Sequence, residues 1–132
     1  MALKRQFLSI MMIVFIALAG VVFILGAYER HDDDQFTTKV IVLEAKNMAF
    51  NKTNPTLILR VGEPVKFIIK NEDRGMLHDF VIEELEVTTS KPLKYGQSEE
   101  IVFTPTQKGE YDYFCSYHSV MMRGKVIILD TI

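Results

Sequence analysis

From Lys39 onward the sequence is cut into short runs rich in Val, Ile, Leu, Phe and Tyr: KVIVLEA (39–45), TLILRV (56–61), VKFIIK (65–70), FVIEEL (80–85), EEIVFT (99–104), EYDYFC (110–115) and KVIIL (125–129). Each has the length and the β-branched or aromatic content of a strand, and no long helical periodicity competes with them. Turn formers separate them: Asn54-Pro55, Gly62-Glu63-Pro64, Asn71 to Gly75, Lys91-Pro92, Gly96, and Thr104-Pro105 through Gly109. About seven strands in roughly 95 residues predict an all-β domain, a small antiparallel sandwich or barrel with one core.

Ahead of this domain lies a segment of another kind. From Phe7 to Tyr28 the only polar side chain is Ser9, and Lys4 and Arg5 precede the run. A helix over it, rising about 1.5 Å per residue, is long enough to cross a hydrocarbon core of roughly 30 Å. Ala17-Leu18-Ala19 offers a small-residue site for signal-peptide cleavage, but the apolar run continues through Val21, Val22, Phe23, Ile24 and Leu25, longer than a signal core. The expectation is therefore residues 1–28 as an uncleaved transmembrane anchor, 29–38 as a polar tether, and 39–132 as the domain. Lys4 and Arg5 keep the N-terminus cytoplasmic by the positive-inside tendency, which puts the domain on the periplasmic or extracellular face of the plasma membrane. That exported part holds 13 of the 15 basic residues and all 17 acidic ones, a charge of 13 − 17 = −4.

With a pI near 5.9 and no basic block, the chain has nothing to hold a phosphate backbone, and nucleic acid is excluded as a partner. One cysteine excludes an intramolecular disulfide, a Cys-rich zinc module and any centre needing two thiolates. That cysteine sits in the most informative stretch, GEYDYFCSYHSVMMRGKV (109–126). A strand ends at Cys115, His118 follows three residues later, Met121 and Met122 come next, and a new strand begins. Alone, each residue has a bland reading: a small buried thiol, a loop histidine, two packing methionines. Together they put a thiolate, an imidazole and a thioether into one tight loop, a soft donor set that favours copper. A second imidazole completes such a set. His31 falls in the tether, whereas His78 stands in a loop just before a strand, where it can lie beside the Cys115 loop at one end of a sandwich.

These residues resemble those of the cupredoxins, the small blue copper proteins, and the plastocyanin and amicyanin group above all. The resemblance runs from about Lys39 to Ile132. It implies a Greek-key β-sandwich holding one type 1 copper, with His78, Cys115, His118 and a methionine as ligands. The family's axial methionine stands just before an x-Gly-Lys-Val strand start, which favours Met122; Met121 fits the shortest C-x-x-H-x-x-M spacing and is the alternative. Asp79 corresponds to a polar residue that ties the two ligand loops together, by accepting from the backbone near Ser116. Tyr111 resembles the tyrosine that bonds backbone at a sandwich corner. Where the family often has proline between the Cys and the second His, this chain has Tyr117, so the hydrogen bonding around the sulfur differs.

The resemblance implies a membrane-anchored carrier of single electrons, not an enzyme, working between redox proteins such as a cytochrome and an oxidase or reductase. Electrons would pass by the edge of His118, ringed by Met76, Leu77, Val120 and Met121. A copper delivery or storage protein, or an accessory subunit of a haem-copper oxidase, is the alternative. The two-copper centre of such an oxidase needs two cysteines, and a catalytic copper needs histidines beyond His78 and His118. A Cys-His pair on one loop is also poorly placed for hydrolytic base catalysis.

Overall fold

A computed structural model describes residues 37–131, so the expected anchor, most of the tether and His31 lie outside the described residues. Among those described, no helix is long and apolar enough to cross a membrane. Nine strands follow in order: β1 (Lys39–Lys46), β2 (Ala49–Phe50), β3 (Leu57–Arg60), β4 (Val65–Asn71), β5 (Val81–Ile82), β6 (Val87–Thr88), β7 (Ser98–Phe103), β8 (Gly109–Phe114) and β9 (Arg123–Leu129). All seven predicted runs contain a strand. The two additional ones, β2 and β6, are two-residue pieces too short to leave a pattern in the sequence.

One predicted strand is cut short. FVIEEL yields only Val81–Ile82 as strand before turning into a 3-10 helix at Glu83–Leu85, closed by Glu86 in the left-handed region at φ 54°. Ile82 faces inward, so continuing the alternation would aim Glu84 at the core, and turning away avoids burying that charge.

The strands form two sheets, ordered β2-β1-β4-β7 and β3-β9-β8-β5-β6. Pairing is not wholly antiparallel as predicted: β1 runs parallel to β4, from Lys39 opposite Val65 to Ala45 opposite Asn71, and β3 runs parallel to β9. The cause is the crossing of the chain between layers. It leaves the first sheet after β2, forms β3 in the second, and returns as β4 beside β1 in the same direction.

Alternation fills the space between the sheets. β4 buries Val65, Phe67, Ile69 and Asn71 and turns Lys66, Ile68 and Lys70 outward. Leu43 and Ala45 join them from β1; Leu57, Leu59, Tyr113, Val126 and Ile128 face them from the second sheet. Each large apolar side chain buried here contributes roughly 1.5–3 kcal/mol. Phe50, Phe80 and Tyr113 form an aromatic cluster, with Phe50 edge-on to Phe80 at 5.9 Å and Tyr113 5.5 Å from Phe80. Tyr113 also explains the glycine of the Arg-Gly-Lys-Val start of β9. The two residues pair across strands, and a Cβ on Gly124 would lie 2.3 Å from the tyrosine ring.

The parallel β1 and β4 both end, at Lys46 and Asn71, on the side where β8 reaches Phe114 and β9 starts. The loops 47–56, 72–80, 89–97 and 115–122 therefore converge at one end of the sandwich. Lys39, whose N–H donates to Pro64, enters at the other end.

Candidate metal centre

Cys115 leaves β8 still in extended conformation and fully buried, and the loop after it closes on itself. His118 N–H donates to the Cys115 carbonyl at 3.1 Å, Met122 N–H to the His118 carbonyl at 2.8 Å, and Cys115 N–H to the Met122 carbonyl at 3.0 Å. A 3-10 turn at Ser116–His118 makes this geometry possible and brings the imidazole back over the thiol. His78 comes from the neighbouring loop. Its backbone bonds Leu93 in both directions, at 3.2 and 2.7 Å. Asn71, buried at the end of β4, gives its side-chain amide to the carbonyls of Met76 at 2.9 Å and Leu93 at 2.7 Å, and so braces the segments on either side.

The three side chains meet. Cys115 Sγ lies 3.6 Å from His78 Nδ1 and 3.7 Å from His118 Nδ1, and all three donor atoms fall within 4.8 Å of one another. A point equidistant from donors so spaced lies about 2.0 to 2.4 Å from each, the length of first-row metal bonds to imidazole nitrogen and thiolate sulfur. The lone pairs are correctly presented as well. His78 Nε2 is 2.9 Å from Asp73 Oδ2, so a carboxylate there fixes the proton on Nε2 and leaves Nδ1 free to coordinate.

Asp73 itself escaped the sequence reading, although Asn-x-Asp five residues before a loop histidine is a legible turn signal: Asp73 N–H bonds Asn71 Oδ1 at 2.8 Å, as an Asx turn does. Burial works against the Asp73 charge. The backbone N–H groups of Asn47 and Met48, at 2.8 and 3.3 Å, together with the imidazole outweigh it and hold the carboxyl below its usual range. Around the thiol the balance is opposite. Desolvation pushes Cys115 up, and the backbone N–H groups of Asp79 and Tyr117 pull it part of the way back.

Asp79 ties the ligand loops together. Ser116 N–H donates to its Oδ1 at 2.6 Å, and the Ser116 hydroxyl donates to its other oxygen. The tyrosine that bonds backbone is Tyr113, not Tyr111: the Tyr113 hydroxyl donates to the Pro55 carbonyl at 2.7 Å. Both tyrosines face inward on β8, but Tyr113 lies nearer the crowded end and reaches the 47–56 loop, whereas Tyr111 lies over Gly109. The two methionines also part company. Met122 is completely buried, while Met121 is 57% exposed, its carbonyl held by the Asn54 amide at 2.8 Å. The half-buried His118 ring lies on a rim with exposed Met76, Leu77, Tyr117, Val120 and Met121.

A buried thiol, an imidazole and a buried thioether on one closed loop, with a second imidazole from the neighbouring loop, match a type 1 copper site. Solved structures share the fold. The dithionite-reduced auracyanin of the photosynthetic bacterium Roseiflexus castenholzii superposes with a TM-score of 0.60 at 21% identity, over 70% of this chain and 98% of its own. The metal-binding domain of the Cu(I)-exporting P-type ATPase CopA of Streptococcus pneumoniae D39, solved with Cu(I), gives 0.56 at 18%, over 68% and 84%. A reduced amicyanin variant gives 0.50 at 29%, over 68% and 82%. No curated protein sequence matches the chain. The cupredoxin-like domain family matches residues 14–128, and the chain belongs to that family.

Proposed function

We propose that this protein is a membrane-anchored, mononuclear type 1 copper protein that passes single electrons between redox proteins outside the cytoplasm, with His78, Cys115, His118 and Met122 as the copper ligands. The observation that carries this reading is the convergence of the Cys115 thiol with two imidazole Nδ1 atoms, all within 4.8 Å, at a sandwich end braced from both sheets. Bound copper supplies a one-electron couple whose potential follows from these donors. The chain does the rest. Asp73 fixes the His78 ring and its tautomer, Asp79 locks the loop of Cys115 to the loop of His78, and the backbone N–H groups of Asp79 and Tyr117 favour the thiolate. Full burial of Cys115 and His78 excludes water. His118, half-buried, offers the shortest way from the buried donors to the surface.

Copper delivery is the competing reading. Handing an ion to a partner calls for donors the partner can reach, and here Cys115, His78 and Met122 are all fully buried. An additional catalytic copper would need other histidines, and after the tether the sequence has none besides His78 and His118. Titration of the full chain with Cu(II), kept in neutral detergent, tests the reading. An intense blue or green band is expected at one copper per chain, bleached reversibly by a mild reductant and lost in Cys115→Ser. A colourless, weakly binding protein would overturn it. Met122→Leu should shift the band and the potential, while Met121→Leu should leave both.

A further inference from the structure

We infer that the metal end is a docking surface for an acidic protein, an inference that rests on the electron-transfer reading and gives its partner a chemistry. The exported part is acidic as a whole, 13 − 17 = −4, and on that basis alone would attract cations. Its charges are unevenly placed. Lys46 and Lys52 line one shallow cleft of about 280 Å³ beside Asn47 and Ala49. Lys94 lines another of about 290 Å³ with Met76, Leu77 and Tyr95, and Arg74 stacks 4.9 Å above the Tyr95 ring. With Lys91 these five side chains are exposed, and none takes part in an ion pair among the described residues.

Against them this end holds Glu72, exposed, and two carboxylates already engaged, Asp73 with His78 and Asp79 with Ser116. Glu99, at the start of β7, accepts from the Ser90 N–H and hydroxyl in the 89–97 loop, and counting all four carboxylates the end carries 5 − 4 = +1. Glu83, Glu84 and Glu86 lie on the flank, and Glu63 and Asp130 at the opposite end. At about 0.1 M salt charges are screened beyond roughly 10 Å, so a partner approaching His118 feels the near charges and not the total. The apolar centre of Met76, Val120 and Met121 inside a cationic rim is the anatomy of a small, salt-sensitive interface.

Two measurements test this. In the first, the reduced, copper-loaded full chain in neutral detergent is oxidised by anionic ferricyanide or by cationic tris(phenanthroline)cobalt(III), from about 10 mM to about 300 mM ionic strength. The ferricyanide rate should fall about threefold to tenfold as salt rises, and the cobalt rate should rise. The double variant Arg74→Glu, Lys94→Glu should reverse both trends. The opposite signs in the unaltered protein, those of the total charge, would overturn the inference. The second needs no copper: poly-L-glutamate added to the Cys115→Ser chain should shift the NMR amide signals of Lys46, Arg74, Lys94 and Val120, reversibly with salt. Shifts confined elsewhere, or none, would overturn the surface. A missing blue band would defeat the electron-transfer reading while this map still reports on the surface by itself.

Discussion

Replacing Tyr117 with proline deletes one N–H and little else. Tyr117 is the second residue of the Ser116–His118 3-10 turn; its N–H makes no backbone hydrogen bond among the described residues and favours the Cys115 thiolate. Proline tolerates such a first-turn position, because its fixed φ suits it and no helix bond is lost. The side chain removed is 49% exposed and is not a ligand. Electron density on the sulfur is greatest when the copper is reduced, so an N–H at the sulfur stabilises the reduced state more than the oxidised one. A hydrogen bond to a charged group is worth about 1.5–3 kcal/mol. If a third to a half of that differs between the two states, the change is about 1 kcal/mol, or about 40 mV for a one-electron couple, downward. Redox titration of full-length Tyr117→Pro, followed through the visible band, measures it, with Tyr117→Ala as the control that keeps the N–H and moves the potential by less than about 10 mV. A potential unchanged or raised in the proline variant, with band and melting temperature intact, would refute the assignment of that N–H to the sulfur.

Gly124→Ala places a methyl into the Tyr113 ring and should cost about 1–3 kcal/mol or more by overpacking, measured by urea unfolding; an unchanged midpoint would contradict the packing described. Asn71→Ala removes both donors to the carbonyls of Met76 and Leu93 in a buried place and should destabilise the protein by about 2–4 kcal/mol, with weakened copper retention against a chelator. Asp112 is held below its ordinary value of 3.8 by hydrogen bonds from Lys125 and then Arg123. A carboxyl depressed in the folded state stabilises the protein above that value and loses the contribution as pH falls through its folded pKa. The melting temperature of the metal-free protein should therefore drop less between pH 5 and pH 3 in Asp112→Asn than in the parent, and parallel curves would count against the ion pair.

What the sequence made legible was whatever repeats with a short period or clusters along the chain. β4 was readable because VKFIIK alternates, and β9 because KVIIL is β-branched and bounded by glycine. Cys115, His118 and the methionines were readable as a group because eight residues hold them all. FVIEEL misled because its first half obeys strand alternation and only the inward placement of Glu84 stops it, which is a fact of the sheet and not of the segment. Parallel pairing of β1 with β4 was hidden for a related reason: nothing local records that β3 is formed in the other layer. At the site, Asp73 was passed over because its partner is five residues away across a turn. Tyr113 rather than Tyr111 bonds backbone because of the distance along β8 to Pro55, which inward-facing alternation cannot distinguish.

The pairing of β3 with β9 has a meaning for the order of folding. Leu57 lies opposite Val126, a separation of 126 − 57 = 69 residues. Closing a chain of that length costs about 4 kcal/mol beyond the constant term, and nothing is gained until the ends meet. The β8–β9 hairpin, from Gly109 opposite Ile128 to Phe114 opposite Arg123, needs no such closure. Cys115, His118 and Met122 all belong to that local unit, whereas His78 reaches it through the brief contact of Val81 with Phe114 and the bonds of Asp79 to Ser116. The centre is thus divided in time as well as in sequence: a hairpin gathers thiol, imidazole and thioether early, and the finished sandwich delivers the last imidazole.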